Sequence, residues 1–226
     1  MFFLMALSLP QMAQEISASQ LLERSIDFHD PSRKWQSSRM EMVIDMETPD
    51  RPTRRSKIVL DQSKSTFNID ILDRGNYWQY ELNRLDSAEI RFNFLPVQDS
   101  VMIDSLNLTS ERARFWRDYY SYLYGLPMKL KDEGTVLDTT VYRTQFDGEQ
   151  VYSLKVNYEE KVGKDTWYFY FDMDTFQLVG YRFFHDESAN DGEYIILEDL
   201  AIVNGLRIPK KRTWYTNAEE QLLGID

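Results

Sequence analysis

Apolar and polar residues alternate with a period of two along most of this chain. In residues 40–47 the apolar side chains Met40, Met42, Ile44 and Met46 alternate mainly with acidic ones. That spacing is typical of a strand with one buried face, because successive strand side chains point to opposite sides. Short polar breaks separate further runs of this kind. The first half of the chain therefore predicts strands over residues 40–46, 56–60, 66–72, 77–82 and 89–94.

Two segments have a helical period instead. Ser17 and Gln20 have the spacing of a capping box, and the helix that they begin is predicted to end before Pro31 with His29 on its apolar side. In residues 107–125 the large side chains recur at helical spacing, and Gly125 stands where a C-terminal cap is expected. The apolar face of this second helix contains Phe115, Trp116, Tyr119, Tyr120 and Leu123.

The second half of the chain returns to the strand period. Asp147 and Gly148 separate residues 141–146 from 150–158 and favour a tight hairpin, because both residues tolerate positive φ. Similar breaks separate residues 167–171 from 178–184 and residues 194–201 from 207–215. The predicted order is a helix, about five strands, a helix and about six strands, joined as an antiparallel meander.

Residues 167–171 are aromatic on both faces of the predicted strand. A strand with one face in water should alternate apolar and polar residues. In the next strand, strict alternation places Leu178 and Gly180 on one face and Tyr181 and Phe183 on the other. Either helices and loops cover both faces of the sheet, or one face lines a cavity.

Composition favours one folded, exported domain. The 226 residues are 42% hydrophobic and 28% charged, which suits a single domain with a sizeable core. Residues 1–14 carry no charge and contain a short apolar run, so they are predicted to be a signal peptide, with a domain over 15–226. The alternative for this run is an apolar N-terminal strand. No stretch is long enough for a transmembrane helix.

The charge and the cysteine content exclude several classes of function. With a net charge of −11, the surface repels phosphate backbones and anionic membranes, so nucleic acid is not an expected partner. The chain has no cysteine, which excludes disulfides, thiolate metal sites and a lipid-anchored cysteine. We therefore expect a soluble periplasmic or secreted protein without a lipid anchor.

Catalytic patterns are sparse. His29 and His185 are each followed by aspartate and could form a metal or acid–base site if the fold brings them together. The more common explanation is a helix-end and a strand-end histidine with structural roles. No nucleophile, phosphate-binding or dinucleotide motif is present, so we expect a protein that is not an enzyme and binds no cofactor.

Two C-terminal segments resemble a known superfamily. Asp174-Thr175-Phe176-Gln177-Leu178 precedes Gly180-Tyr181, and Asn204-Gly205-Leu206-Arg207-Ile208-Pro209 precedes Arg212-Thr213-Trp214-Tyr215. These segments are similar to the LolA/LolB lipoprotein-carrier superfamily. The N-terminal helix with Leu21-Leu22, Phe28-His29-Asp30-Pro31 and the later Trp35 resembles those periplasmic relatives that are known only as domains of unknown function. The resemblance implies an α+β fold, a curved antiparallel half-barrel of about 10–11 strands, closed by helices around a lipid-binding interior.

The resulting hypothesis is a cell-envelope protein that holds an acyl chain, a lipid or an acylated protein in a half-barrel cavity. A protein–protein interaction module with a filled core and an envelope protein partner is one alternative, and it predicts no internal cavity. A metal-dependent hydrolase using His29 and His185 is the other. The residues predicted to bind the apolar ligand are Met40, Met42, Trp78, Tyr80, Phe92, Trp167, Phe169 and Phe171.

Overall fold

The structure, a computed structural model, describes residues 16–226, so the predicted signal peptide over residues 1–14 lies outside the described residues. It has three α-helices in this range: α1 (Ala18–His29), α2 (Ser100–Leu106) and α3 (Ser110–Gly125). The first sheet contains β1 (Arg39–Met46), β2 (Arg54–Asp61), β3 (Thr66–Asp73), β4 (Asn76–Leu82), β5 (Ala88–Phe92) and β6 (Leu95–Pro96). The second contains β7 (Thr135–Phe146), β8 (Glu149–Tyr158), β9 (Thr166–Asp172), β10 (Leu178–Phe184), β11 (Glu193–Val203), β12 (Leu206–Thr216) and β13 (Leu222–Ile225).

Each sheet is an antiparallel meander in which strands follow chain order. One pair of backbone hydrogen bonds joins the two sheets, because Glu47 and Ile225 exchange N–H and carbonyl groups at 2.8 Å in both directions. The α1 helix contacts both β7 and β12, which lie far apart in the order of the second sheet, so this sheet is strongly curved. The α3 helix packs inside the first sheet against β3, β4 and β5. The predicted α+β half-barrel closed by helices is therefore confirmed.

The structure has 13 strands in residues 16–226, rather than 10 or 11, because two short ones were not predicted. The two-residue β6 forms because Asn93 and Phe94 both adopt positive φ and turn the chain back where strand was expected. The four-residue β13 follows a turn over residues 217–219 at the end of β12. Both are too short for alternation to be recognised in the sequence.

The helix predicted over residues 107–125 begins at Ser110 in the structure, and a separate short helix precedes it. Asn107, at φ 52°, ends the separate helix α2, and α3 begins after Thr109, whose hydroxyl accepts a hydrogen bond from the Arg112 N–H at 3.1 Å. Gly125 is the last residue of α3 and not a positive-φ cap, so that interpretation was wrong. Its missing side chain instead allows close approach, since a Cβ there would lie 2.4 Å from the Trp35 ring.

Other local predictions are confirmed. Ser17 and Gln20 form the complete capping box at the start of α1. Asp147 and Gly148 have φ of 49° and 81°, and Asn204 and Gly205 have 53° and 89°, as the hairpins require. No helix within residues 16–226 is both long enough and apolar enough to cross a bilayer.

Candidate functional site

A large cavity lies along α3 at one rim of the half-barrel. Its volume is about 860 Å³, and its walls come from α3, the end of β1, the start of β2 and the strands β9–β13. Because the strands are antiparallel, the last residues of β10 and the first residues of β9 and β11 meet at this rim. We call this space the aromatic cavity, since seven aromatic side chains line it: Phe115, Trp116, Tyr119, Tyr122, Trp167, Phe183 and Trp214.

Most of the wall is apolar, and the tyrosine hydroxyls in it are neutral. The hydroxyls of Tyr122 and Tyr158 hydrogen-bond to each other at 2.6 Å. Burial raises the pKa of the Tyr119 and Tyr122 hydroxyls, so both stay protonated. Such a surface suits an aliphatic group, because it offers large contact area with few polar atoms to desolvate.

Two basic and two acidic side chains also line this cavity: Arg54, Arg112, Asp118 and Glu193. Asp118 is paired with Arg117 at 2.9 Å. Burial raises the pKa of Glu193, which favours its neutral form. Arg54 and Arg112 both lie against the Trp116 ring, with guanidinium carbons 5.5 and 4.5 Å from its centroid.

A smaller pocket of about 230 Å³ lies behind Trp116, and we call it the side pocket. Its walls include Trp78 and Tyr80 of β4 and Leu106 of α2. It shares Arg54, Arg112 and Trp116 with the aromatic cavity. The two arginines therefore border both spaces.

The eight predicted ligand-binding residues all belong to the main core cluster or pack against it, and thus lie on the inner face. Among them, Trp167 lines the aromatic cavity, while Trp78 and Tyr80 line the side pocket. Met40 and Met42 border a third space of about 350 Å³, between β1 and β12, where the two sheets separate. Phe92, Phe169 and Phe171 are not among the residues that line these three spaces, and Phe169 and Phe171 are fully buried. Ligand binding by these residues stays a prediction.

Both faces of β9 are covered, each in a different way. Trp167, Phe169 and Phe171 face the interior, whereas Tyr168 and Tyr170 pack on the outer face with Phe146, whose ring stacks on Tyr170 at 4.1 Å. In β10 the predicted alternation was wrong at one point. A bulge between Leu178 and Gly180 turns Leu178 to the interior, on the same side as Tyr181.

Sequence reasoning missed the part of the cavity wall that α3 provides. Phe115, Trp116 and Tyr119 were assigned to a helix face but were not among the residues predicted to bind the ligand. Their spacing, with Tyr122 one turn further on, is the signal that could have identified them. Arg54 and Arg112 carried no signal in sequence, because they come together from a strand and a helix that lie far apart in the chain.

The two histidines do not come together in one site. The buried His29 ring donates from Nδ1 to the Arg207 carbonyl at 2.6 Å and accepts at Nε2 from the Leu178 N–H at 3.0 Å. Both of its nitrogens are therefore occupied, which argues against a metal ligand. His185 is exposed and pairs with Asp165 at 2.8 Å. Within residues 16–226, no three histidine or acidic side chains converge in a way that could hold a metal ion.

Comparisons with known proteins agree with the fold. The structure is similar to a LolA superfamily protein from Nitrosomonas europaea, with a TM-score of 0.51 and 13% identity over 93% of this chain and 91% of that one. A DUF1329 family protein from Desulfovibrio piger scores 0.49 at 14% identity, covering 92% and 90% of the chains. A putative outer membrane lipoprotein-sorting protein domain from Vibrio parahaemolyticus scores 0.49 at 8% identity, covering 91% and 88%.

No curated protein matches this chain. The family model described as a family of unknown function, DUF6503, matches residues 1–226. The predicted resemblance is confirmed at the level of fold by the LolA superfamily structure. The chain belongs to the DUF6503 family and has the half-barrel fold of the LolA superfamily.

Proposed function

We propose that this protein is a periplasmic binding protein that holds the acyl chain of a lipid or of an acylated protein in the aromatic cavity. The observation that carries the proposal is the cavity itself, about 860 Å³ in volume and walled by seven aromatic side chains. Specific ligand sites commonly have volumes of roughly 300–1,000 Å³ and mostly apolar walls. Each methylene transferred from water into such a site contributes about 0.8 kcal/mol.

The same observation speaks against the filled-core alternative, which predicts no internal cavity. The fold supports a carrier or binding role, because the similar structure from Nitrosomonas europaea is named a LolA superfamily protein. The occupied ring nitrogens of His29 speak against the hydrolase alternative.

The experiment that tests this function uses two neighbouring leucines of β13. Leu223 lines the aromatic cavity, whereas Leu222 is 37% exposed and is not among the cavity-lining residues. Leu223→Asp places a charge in the cavity, where an acyl chain cannot solvate it. Leu222→Asp makes the same chemical change outside the cavity and is the matched control.

Both variants and the wild type are expressed with a periplasmic signal and analysed by native mass spectrometry and organic extraction. We expect a lipid or acylated peptide to co-purify with the wild type and with Leu222→Asp, and to be lost from Leu223→Asp. A wild-type protein that carries no such mass, and gains none when lipid or acylated peptide is added, would contradict the proposal.

A further inference from the structure

Arg54 and Arg112 lack the acidic partner that several other arginines of this protein have within residues 16–226. Arg33, Arg55, Arg91 and Arg117 each form an ion pair with a carboxylate. Neither Arg54 nor Arg112 makes an ion pair or a side-chain hydrogen bond within residues 16–226, and the buried Nε of Arg54 has no acceptor there. Their guanidinium groups contact aromatic rings instead: Arg54 faces Trp116, and Arg112 faces both Phe115 and Trp116.

The acidic side chains that line the two spaces form no ion pair with either arginine. In the aromatic cavity Asp118 is paired with Arg117, and burial raises the pKa of Glu193. In the side pocket Asp73 is paired with Arg74 at 3.4 Å. The border between the two spaces thus carries two guanidinium groups that form no ion pair with a carboxylate of residues 16–226.

Arg212 shows what a structural buried arginine looks like in this protein. It is 1% exposed, stacks on Tyr124 at 3.9 Å and donates to the Leu123 carbonyl of α3 at 3.4 Å, and its Nε and Nη1 have no acceptor within residues 16–226. What sets it apart is that no ligand can reach it. Arg54 and Arg112 are only partly buried and border an open cavity, so a ligand can reach them. Partly buried donors without acceptors cost free energy, which a charged ligand group would recover.

We propose that the ligand is an anionic amphiphile, whose carboxylate or phosphate binds Arg54 and Arg112 beside Trp116 while its aliphatic tail fills the aromatic cavity. A guanidinium group presents paired donors that match two oxygens of either anion. The net charge of −11 keeps anions away from the rest of the surface, so the positive border selects the head group locally. This inference rests on the proposed function and adds the chemistry of the head group.

The test compares four probes on the full-length mature protein: dodecanoate, dodecyl phosphate, dodecanol and inorganic phosphate. Binding is measured by isothermal titration calorimetry below the critical micelle concentrations. We expect dodecanoate or dodecyl phosphate to bind roughly 10- to 100-fold more tightly than dodecanol, because hydrogen bonds to charged groups are strong. Whichever of the two charged probes binds more tightly identifies the head group, and inorganic phosphate alone should bind far more weakly than both.

The variants Arg54→Met and Arg112→Met should each reduce at least tenfold the ratio of charged-probe affinity to dodecanol affinity. The matched controls are Arg55→Met, whose residue pairs with Asp45 on the outer face of β2, and Arg114→Met, whose residue donates to the Asp86 carbonyl. Both controls change the net charge by the same amount as Arg54→Met and Arg112→Met, and both should keep the wild-type preference for the charged probes. Thermal melting checks that each variant is folded. If a variant is not folded, the ratio of the wild-type affinities for the charged and neutral probes still tests the proposal.

The outcomes separate the two proposals. Equal binding of dodecanol and the charged probes, with no effect of the arginine variants, would overturn the anionic head group and leave the acyl-binding function standing. Tight binding of free inorganic phosphate would also overturn the proposal that the ligand is an amphiphile. Failure of all four probes to bind would contradict both proposals.

Discussion

His29 is a polar side chain with no solvent exposure, and its ring joins three elements. It stands at the end of α1, donates to the Arg207 carbonyl of β12 and accepts from the Leu178 N–H of β10. A carbonyl can only accept, so Nδ1 carries the proton. Because Nε2 accepts a hydrogen bond, it carries no proton and the ring is neutral. Burial lowers its pKa from 6.5 to about 4, and the hydrogen bond to Arg207 opposes this shift in part.

This shift predicts a pH-dependent stability. Below pH 6.5 the unfolded chain protonates His29, whereas the folded protein does so only near pH 4. The free energy of unfolding should therefore fall as the pH decreases through this window, by about 3 kcal/mol in total from this group. Urea unfolding of the wild type and of His29→Gln across this range measures the effect, and the variant should show a flatter dependence.

The control for this prediction is His185→Gln. The contact with Asp165 raises the pKa of the exposed His185, so its contribution is present at low pH and is lost as the pH rises through the folded pKa. Replacing it should leave the loss of stability from His29 intact. Equal pH slopes for the wild type and His29→Gln would show that burial of a neutral imidazole is not the cause.

At the scale of elements, α3 decides both the packing and the cavity. Its buried side chains, Trp116 and Tyr120 among them, fill the half-barrel, while Phe115 and Tyr122 border the cavity. The helix face was predictable from the 3.6-residue period of the aromatic residues. Part of that face meets packed core and part meets open space. The division depends on the distance from the helix to strands that are far away in the chain, and no local sequence pattern contains that distance.

The close contact at the end of α3 gives a prediction for this element. Gly125→Ala should destabilise the protein by about 1–3 kcal/mol, because its Cβ would lie 2.4 Å from the Trp35 ring and 2.5 Å from Lys129 Cγ. Without that contact, alanine would favour a helix over glycine. Chemical denaturation of the variant measures the change.

The matched control is Gly163→Ala, where the nearest atom, Tyr158 Cβ, lies at 3.7 Å and φ is not positive. Stability there should change by less than about 0.5 kcal/mol. A stabilised Gly125→Ala variant would mean that Trp35 moves aside without cost.

At the scale of the whole molecule, one core cluster crosses both sheets. It includes Ile58, Phe67 and Ile69 of the first sheet and Leu154, Phe169 and Tyr181 of the second, with α1 and α3 packed between them. We propose that the part of the chain from residue 15 to 226 is a single domain that unfolds cooperatively, because neither sheet could bury its inner face alone.

Thermal unfolding tests this proposal. The far-ultraviolet circular dichroism of the strands and the fluorescence of Trp78, in the first sheet, and Trp167, in the second, should change at one temperature. Calorimetric and van't Hoff enthalpies should agree. Two separated transitions would contradict a single domain.

The sequence by itself determined the features that depend on neighbouring residues. The capping box at Ser17, the positive-φ turn at Asp147-Gly148 and the strand and helix periods were all readable, because each is decided within a few positions along the chain. The resemblance in short turn segments added the half-barrel. The inner face of each predicted binding strand also followed from alternation.

Only the tertiary structure decided where the interior stays open and which charges remain without partners. Arg54 and Arg55 are adjacent in sequence, yet Arg55 pairs with Asp45 across the sheet while Arg54 turns toward Trp116 of α3. The bulge at Leu178 likewise reverses a face that alternation assigned. Packing density and charge pairing are properties of residues distant in the chain, so they exist only once the sheets have closed around α3.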